Sequence, residues 1–327
     1  MAILITGGAG FIGSNLAKVL VNKGYEVIIY DNFWRNALDF IFSDSPNLYE
    51  NFKIIKGDIL DIRLLKEVLF KYRIEYVFHL AAIAGVDTVL ANPILTFKTN
   101  LIGSVNILDL LVEYFEINPG VLRRVVLFST SEVFGEYVFH PEEIKPIFGG
   151  IIGEVRWNYA VSKLAEEHIA MTYYKIFGLP IVIVRPFNIY GPGQVGDSAM
   201  KSFILKAIKN EVIRIHGDGS QIRAWCYIDD MIDALISIIN KDSSIGNIFN
   251  IGNPKSALSI YNLVFLIKEL LNSESLVEFI NITYNDVALR VPSILKAREI
   301  LDFEPKVDLK KGIINTANFY KKFINNF

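Results

Sequence analysis

The chain is poor in cysteine and histidine and carries almost no net charge. One cysteine, Cys226, excludes an internal disulfide, so we expect a buried inert thiol in a cytoplasmic protein. A net charge of −2 provides no basic surface for nucleic acid or anionic lipid, and we expect neither partner. The apolar runs are strand-sized, far below the ~20 residues of a membrane helix, so no membrane segment is predicted. No metal site is expected.

What the chain does have is a regular alternation of short apolar runs and amphipathic stretches. This alternation is typical of a parallel sheet with crossover helices. The predicted strands are 3–6, 27–30, 52–56, 76–80, 125–129, 181–185 and 248–251, and the predicted helices are 14–23, 94–116, 159–177 and 199–209.

The alternation loosens after about residue 188, which predicts two parts. We expect an α/β fold, a Rossmann-type doubly wound parallel sheet with a smaller C-terminal substrate-binding lobe. Residues 1–187 would form the NAD-binding domain, including the catalytic helix. Residues 188–327 would form mainly the lobe, with a return strand near 248–251 joining the sheet.

A glycine pattern closes the first strand. Gly7, Gly10 and Gly13 stand between a predicted strand and helix, where such glycines allow a tight turn and close approach of a pyrophosphate to a helix N-terminus. Asp31 ends the second strand, 18 residues after Gly13. A carboxylate there can accept from both ribose hydroxyls and repels a 2′-phosphate, which favours NAD over NADP. Asp58 could meet the adenine amino group or be an ordinary turn residue.

Two later pieces of sequence predict alcohol oxidation. Tyr159 and Lys163 lie at i and i+4 on one helical face, where the ammonium and the positive nicotinamide would both favour the phenolate needed by a catalytic base. Thr130 leaves the strand before that helix and can hold the substrate alcohol against Tyr159. A Tyr-x-x-x-Lys spacing alone is more often a surface pair, and the preceding dinucleotide motif is what favours catalysis.

These motifs together resemble the extended short-chain dehydrogenase/reductase family, in its nucleotide-sugar epimerase, dehydratase and decarboxylase branch. The resemblance runs nearly end to end and includes the segments 7–13, 79–82, 129–135, 159–163, 185–192 and 217–223. It implies oxidation of a sugar C4 by tightly held NAD through a transient 4-keto intermediate. It also implies a homodimer built through a four-helix bundle of segments 94–116 and 159–177.

The resemblance also assigns residues to ligands. Cofactor contacts are implied for the glycine turn and for the ends of the following strands: Gly7, Gly10, Phe11, Ile12, Gly13, Asp31, Asn32, Asp58, Ile59, Leu80, Ala81, Ala82, Asn100, Tyr159 and Lys163. Asn188 and Arg223 would meet the diphosphate of a nucleotide sugar, because an arginine fork suits a pyrophosphate. We expect that nucleotide sugar to be a UDP-sugar.

The triplet Thr130-Ser131-Glu132 separates the reactions of this branch. It is the triplet of UDP-glucuronate decarboxylases, whereas 4,6-dehydratases commonly show Thr-Asp-Glu. The segment 286–293 resembles one that carries a carboxylate-binding arginine, here Arg290. Ser131, Glu132 and Arg290 would then manage the sugar carboxylate and the proton delivered to C5.

The favoured prediction is a UDP-glucuronate decarboxylase. A 4-epimerase acting on UDP-glucose, UDP-galactose or UDP-glucuronate, or a 4,6-dehydratase, stays open, and a non-catalytic NAD-sensing regulator is a remote alternative. One departure matters for the favoured prediction: many decarboxylases have an arginine after Gly-Pro, but this chain continues through Gly193, Gln194 and Gly196 to Asp197.

Overall fold

A computed structural model describes residues 1–43, 52–144, 152–196, 198–281 and 287–324. Asp197, and Asp286 at the start of the segment 286–293, lie outside the described residues. The strands are β1 Ala2–Thr6, β2 Glu26–Asp31, β3 Phe52–Lys56, β4 Ile74–His79, β5 Arg124–Phe128, β6 Tyr137–Phe139, β7 Ile181–Pro186, β8 Ile189–Tyr190, β9 Ile213–His216, β10 Ile222–Ala224, β11 Cys226–Tyr227, β12 Ile248–Ile251, β13 Ala257–Ser259, β14 Val277–Ile280 and β15 Leu289–Val291.

The main sheet has seven strands in the order β12-β7-β5-β4-β1-β2-β3. Its pairs are parallel throughout. All seven predicted strands lie in this sheet, so the predicted fold class is confirmed. The strand order reverses at β1, which has β2 on one side and β4 on the other. Open α/β sheets bind ligands at the carboxyl ends of the strands beside such a reversal.

The helices are α1 Phe11–Asn22, α2 Leu38–Ile41, α3 Ile62–Lys71, α4 Val86–Ala91, α5 Pro93–Phe97, α6 Gly103–Ile117, α7 Asn158–Phe177, α8 Ala199–Lys209, α9 Ile228–Asn240, α10 Ile260–Leu271, α11 Leu295–Leu301 and α12 Leu309–Lys322. Short 3₁₀ turns occupy Ser131–Phe134, Val155–Trp157, Asp242–Ser244 and Pro254–Ser256.

The predicted continuous helix 94–116 is interrupted. A π-helical turn, Lys98–Ile102, joins α5 to α6. π-turns inside helices often mark functional positions, and this one carries Asn100. Among the described residues, Pro93–Ile117 is also the one helix with the length and mean hydropathy (1.2) of a membrane-crossing segment. In the structure it packs against α3 and α7, and 44% of its apolar stretch is buried.

Two hydrophobic cores cover the two faces of the sheet. One lies under α3, α6 and α7, and includes Leu4, Val77 and Leu111. The other lies under α1 and α9 and continues into the C-terminal part through residues such as Ile204 and Ile313. These helices fix the sheet and leave the carboxyl ends of β1, β4 and β5 open.

A small mixed sheet in the order β13-β10-β15-β6 takes three strands from the C-terminal part and β6 from the N-terminal part. The C-terminal part also forms two strand pairs, β11-β8 and β14-β9. The chain returns to the main sheet through β12, which pairs with β7 from Ile248 opposite Ile183 to Ile251 opposite Pro186. The boundary at residue 187 stays a prediction.

Candidate active site

A cavity of about 550 Å³ opens at the carboxyl ends of β1, β4 and β5. It collects nearly all of the residues singled out in the sequence. Its walls include Gly7, Gly10, Phe11, Ile12, Gly13, Asp31, Asn32, Asp58, Ile59, Leu80, Ala81, Ala82, Thr130, Ser131, Glu132, Tyr159, Lys163, Asn188 and Arg290. Two predicted residues, Asn100 and Arg223, are not on the cavity wall.

The glycine turn is shaped for close approach of a ligand. Gly7 has φ +71°, and a Cβ there would lie 2.5 Å from the Ala81 backbone nitrogen. A Cβ at Gly13 would lie 2.5 Å from the Gly7 carbonyl oxygen. Gly10 is the N-cap of α1 in extended conformation and has no side chain to bond the first-turn amides. A helix N-terminus of this kind is suited to a pyrophosphate.

Asp31 joins the glycine turn to the loop after β2. One carboxylate oxygen accepts from the Ala9 backbone N–H at 2.9 Å and the other from the Phe33 N–H at 2.7 Å. Burial raises the pKa of Asp31, and these backbone hydrogen bonds oppose that rise. Asp31 therefore holds the glycine turn against the loop after β2 and also lines the cavity, and its contact with a ribose stays a prediction.

Exchanging Asp31 is expected to change cofactor preference. The double variant Asp31→Ser with Asn32→Arg should shift the ratio of Kd values toward NADP(H) by about tenfold or more, since a carboxylate beside a 2′-phosphate disfavours binding. Titration of both dinucleotides against wild type and variant measures the ratio. Finding NADP(H) as the nucleotide extracted from purified wild-type protein would contradict this assignment.

Asp58 is tied to its neighbours on the cavity rim. Its carboxylate accepts from the Leu60 N–H at 2.9 Å and from the Asn32 side-chain amide at 3.1 Å. Its carbonyl accepts from the Tyr30 hydroxyl at 2.8 Å. The turn thus orients the carboxylate, and Asp58 lines the cavity. A contact with adenine and an ordinary turn role both stay open.

Asn100 lies behind the cavity wall instead of on it. Its side chain is fully buried, accepts from the Ile83 N–H at 2.7 Å, and donates to the Ile83 carbonyl at 3.0 Å and the Ser162 hydroxyl at 3.1 Å. Both polar atoms of the side-chain amide therefore form hydrogen bonds within the protein. Asn100 therefore ties the loop after β4 to α7, and the predicted direct contact with cofactor is not supported by this placement.

The proposed redox pair lies on α7 as the spacing predicted. Tyr159 and Lys163 both line the cavity. The Thr130 hydroxyl accepts from the Glu132 N–H at 3.2 Å and is near enough to the Tyr159 phenol to lower its pKa. Thr130 and Tyr159 both line the cavity, where one alcohol group can hydrogen-bond to both.

Lys163 has a partner that the sequence did not predict. Its ammonium contacts the Glu166 carboxylate at 2.5 Å, and each side chain is only 2% exposed. Burial raises the pKa of Glu166, and Lys163 opposes that rise. A buried pair of this kind is stable only when both partners are present.

The surroundings of Tyr159 act on its pKa in both directions. Burial raises the pKa, and the carboxylates of Glu132 and Glu166 raise it further. Thr130 and the Arg35 charge oppose this rise. The lowering expected from Lys163 together with the positive nicotinamide stays a prediction.

The effect of Glu166 on the pKa of Tyr159 predicts a change in the pH dependence of kcat/KM. Glu166→Gln removes a negative charge that raises the Tyr159 pKa, so the phenolate forms at lower pH in the variant. The rising acidic limb of kcat/KM, which requires the phenolate, should move toward lower pH. Rates measured across the pH range test this, with the exposed Glu299→Gln as control. An unmoved limb in a variant that still holds its cofactor would contradict the role given to Glu166.

Glu132 sits between two buried arginines. Arg156 Nη1 donates to its carboxylate at 3.0 Å, and Arg290 Nη1 lies 3.8 Å from the other oxygen. Arg290 also donates weakly to the Gly135 carbonyl at 3.4 Å. Ser131 lines the cavity beside them and is 3% exposed. Arg156 was missed from the sequence because 24 residues separate it from Glu132.

Asn188 and Arg223 occupy different places. Asn188, with φ +42°, lines the cavity and donates to the Ala224 carbonyl at 3.0 Å. Arg223 is buried on β10, where its backbone pairs with that of Arg290 on β15. The neighbouring strands thus present two arginines side by side, of which only Arg290 reaches the cavity.

Comparisons with known proteins identify the family. The family described as GDP-mannose 4,6 dehydratase matches residues 4–316. The chain belongs to this family. It is 32% identical over its full length to UDP-glucuronic acid decarboxylase 1 of Arabidopsis thaliana, covering 71% of that protein. It is 33% identical to the UDP-N-acetyl-α-D-glucosaminuronate decarboxylase of Bacillus cytotoxicus, with 99% and 98% of the two chains covered.

A solved structure of a nucleotide-sugar enzyme also matches this chain. The UDP-glucuronic acid 4-epimerase of Bacillus cereus, crystallised with UDP-glucuronic acid and NAD, superposes with a TM-score of 0.85 at 30% identity. The alignment covers 99% of this chain and 100% of that one. The predicted family is confirmed, two relatives are named as nucleotide-sugar decarboxylases, and the solved structure contains NAD.

Proposed function

We propose that the protein is an NAD-dependent decarboxylase of a UDP-hexuronate, with UDP-glucuronate as the first candidate substrate. The observation that carries this proposal is the placement of Arg290 and Glu132 on the cavity wall that also holds Tyr159. A guanidinium there suits a carboxylate on the carbon next to the oxidised alcohol. The names of the two decarboxylase relatives support the same reaction.

The residues that would hold NAD are those of the glycine turn, Asp31, and the Tyr159–Lys163 face. The close backbone packing at Gly7 and Gly13 sets a tight turn before α1, and the uncapped start of that helix fits its pyrophosphate. NAD, when bound, supplies the acceptor for hydride from the sugar alcohol carbon and the donor for its return.

The protein's own part of the reaction is acid–base chemistry and orientation. Tyr159 takes the proton of the C4 hydroxyl, while Thr130 holds that hydroxyl by a hydrogen bond. The resulting 4-keto hexuronate is a β-keto acid, whose carbon–carbon bond to the carboxylate breaks to give CO₂ and an enolate. Arg290 orients the carboxylate before that step, and Glu132 with Ser131 directs a proton to C5 afterwards.

Product masses test the proposal directly. The purified protein is incubated with UDP-glucuronate, UDP-N-acetylglucosaminuronate, UDP-glucose, UDP-galactose and the corresponding GDP- and dTDP-sugars. We expect loss of CO₂ from an acidic UDP-sugar and no comparable turnover of neutral sugars. UDP-glucuronate converted without mass change, or a neutral UDP-hexose turned over far better, would overturn the decarboxylase assignment.

A 4-epimerase of UDP-glucuronate is the second candidate. It is favoured by the superposition on the Bacillus cereus epimerase, which was crystallised with the same acidic sugar nucleotide. Both candidates need a carboxylate-binding arginine, and they differ in whether CO₂ leaves. The mass experiment separates them. The regulator alternative receives no support from a cavity that contains both Tyr159 and Lys163.

We also propose a homodimer in which the Pro93–Ile117 helix and α7 form a four-helix bundle with their copies. Exposed apolar side chains support it: Ile94 is 72%, Ile102 49% and Val161 39% exposed. Sedimentation of wild type should give twice the 37.0 kDa chain mass. The double variant Ile94→Asp with Ile102→Asp should sediment as a monomer, whereas Ile314→Asp on α12 should not. A monomeric wild-type protein would contradict the dimer.

A further inference from the structure

Arg35 lines the cavity although no motif predicted it. It lies in the loop between β2 and α2, and its Nη2 donates to the Thr88 hydroxyl at 2.7 Å. Thr88 belongs to α4, which follows the loop after β4. The side chain therefore reaches from one loop of the sheet to another across the cavity.

The guanidinium fits between two glycines. A Cβ at Gly196 would lie 2.7 Å from Arg35 Cζ, and a Cβ at Gly85 would lie 3.4 Å from its Nη2. Both glycines have positive φ, +80° and +94°, so the space and the backbone conformation each favour glycine. Arg35 thereby brings a cation to the segment 193–196, which supplies none of its own.

The charge of Arg35 lies on the wall of the cavity that also holds Tyr159. Within the described residues, no carboxylate forms an ion pair with Arg35. Its guanidinium donates a hydrogen bond to the neutral Thr88 hydroxyl. The guanidinium is close enough to Tyr159 to lower the pKa of that phenol. A half-buried cation is favoured by a complementary anion, and guanidinium groups bind carboxylate or phosphate oxygens in pairs.

We propose that Arg35 binds an oxyanion of a ligand in this cavity and so determines its specificity. The sugar carboxylate is the favoured source, since in the proposed reaction it is attached next to the carbon at which Tyr159 acts. A nucleotide phosphate has the same chemistry and is the other source. The inference rests on the proposed function only for the identity of the acidic sugar.

Binding measurements test this without requiring turnover. Calorimetric titrations of the NAD-loaded protein use UDP-glucuronate, UDP-glucose and UDP, and bound dinucleotide is quantified by extraction. Arg35→Gln should weaken UDP-glucuronate about 10- to 100-fold, the scale of a charge-assisted hydrogen bond. Arg35→Lys should recover part of the loss, and the exposed Arg63→Gln should bind like wild type.

The pattern across ligands identifies the oxyanion. Selective loss of UDP-glucuronate, with UDP-glucose and UDP unchanged, assigns Arg35 to the carboxylate. Equal weakening of all three ligands, or loss of bound NAD, assigns it to a phosphate. Unchanged affinity for every ligand overturns the proposal and leaves Arg35 a brace between loops.

Two further comparisons keep the test decisive. If Arg35→Gln does not fold, Thr88→Val retains the charge but releases its anchor, and should weaken the same ligand; normal binding by that variant would count against the proposal. Failure of the proposed function appears separately, as wild-type protein that releases no CO₂. Selective loss of acidic-sugar binding in Arg35→Gln would then still support the Arg35 assignment.

Discussion

Replacing Tyr159 by phenylalanine is expected to lower turnover about 10²–10⁴-fold, the usual scale for a positioned acid–base group. The phenol lies on the cavity wall together with Thr130 and can take the proton of the C4 hydroxyl. Its ring would remain in the variant, so the packing of α7 and the cofactor content should persist. Initial rates on the substrate found by mass, with extracted NAD as a check, measure the effect.

The matched control is Tyr173→Phe on the same helix. Tyr173 donates its hydroxyl to Asp109 on α6, away from the cavity wall. This variant loses a hydroxyl of the same kind without touching the site, so its turnover should stay near wild type. Near-normal turnover by the Tyr159 variant would mean that the proton leaves the sugar by another route.

Replacing Arg290 by methionine should abolish CO₂ release, by about 10²-fold or more, and spare the binding of UDP and NAD. The guanidinium suits a carboxylate, while methionine keeps most of the buried volume. Glu132 would keep Arg156 as its partner at 3.0 Å, so the variant does not leave that carboxylate unpaired. Quantifying CO₂ and sugar products from UDP-glucuronate measures the loss.

Arg298→Met serves as the control for a lost arginine. Arg298 lies on α11 and pairs with Glu304 in a half-exposed ion pair, so its removal should cost little. If the Arg290 variant still released CO₂ at the wild-type rate, Arg290 would have no part in handling the carboxylate. If it released none but also failed to bind UDP, the effect would be structural.

The main sheet was predictable because its signals are local. Six of the seven strands are largely buried apolar runs bounded by turn residues, the pattern of parallel strands covered on both faces, and only the edge strand β3 is mostly exposed. The strands of the C-terminal part, such as β8 and β11, have two residues each and were not predicted. Strands this short are set by their tertiary neighbours, which no sequence window contains.

The candidate site was predictable where a motif sits at the end of a strand or on one helical face. The glycine turn, Asp31 and the Tyr159–Lys163 face are such cases. Arg35 and Arg156 were missed because distant partners, Thr88 and Glu132, place them. Asn100 was assigned to the cofactor by resemblance, but the π-turn directs its amide to Ile83. The cytoplasmic location stays a prediction.

The late return of β12 to the main sheet bears on how the chain folds. Strand β7 lies between β5 and β12, so an N-terminal fragment ending at residue 187 would present β7 as an unpaired edge. That edge begins with the buried run Ile181, Val182, Ile183 and Val184, which is a template for aggregation. During synthesis the sheet stays incomplete until residue 251 is available. We therefore expect the nucleotide-binding half to depend on the C-terminal half for solubility. The pairing of β12 with β7 joins distant parts of the chain and is expected to form slowly.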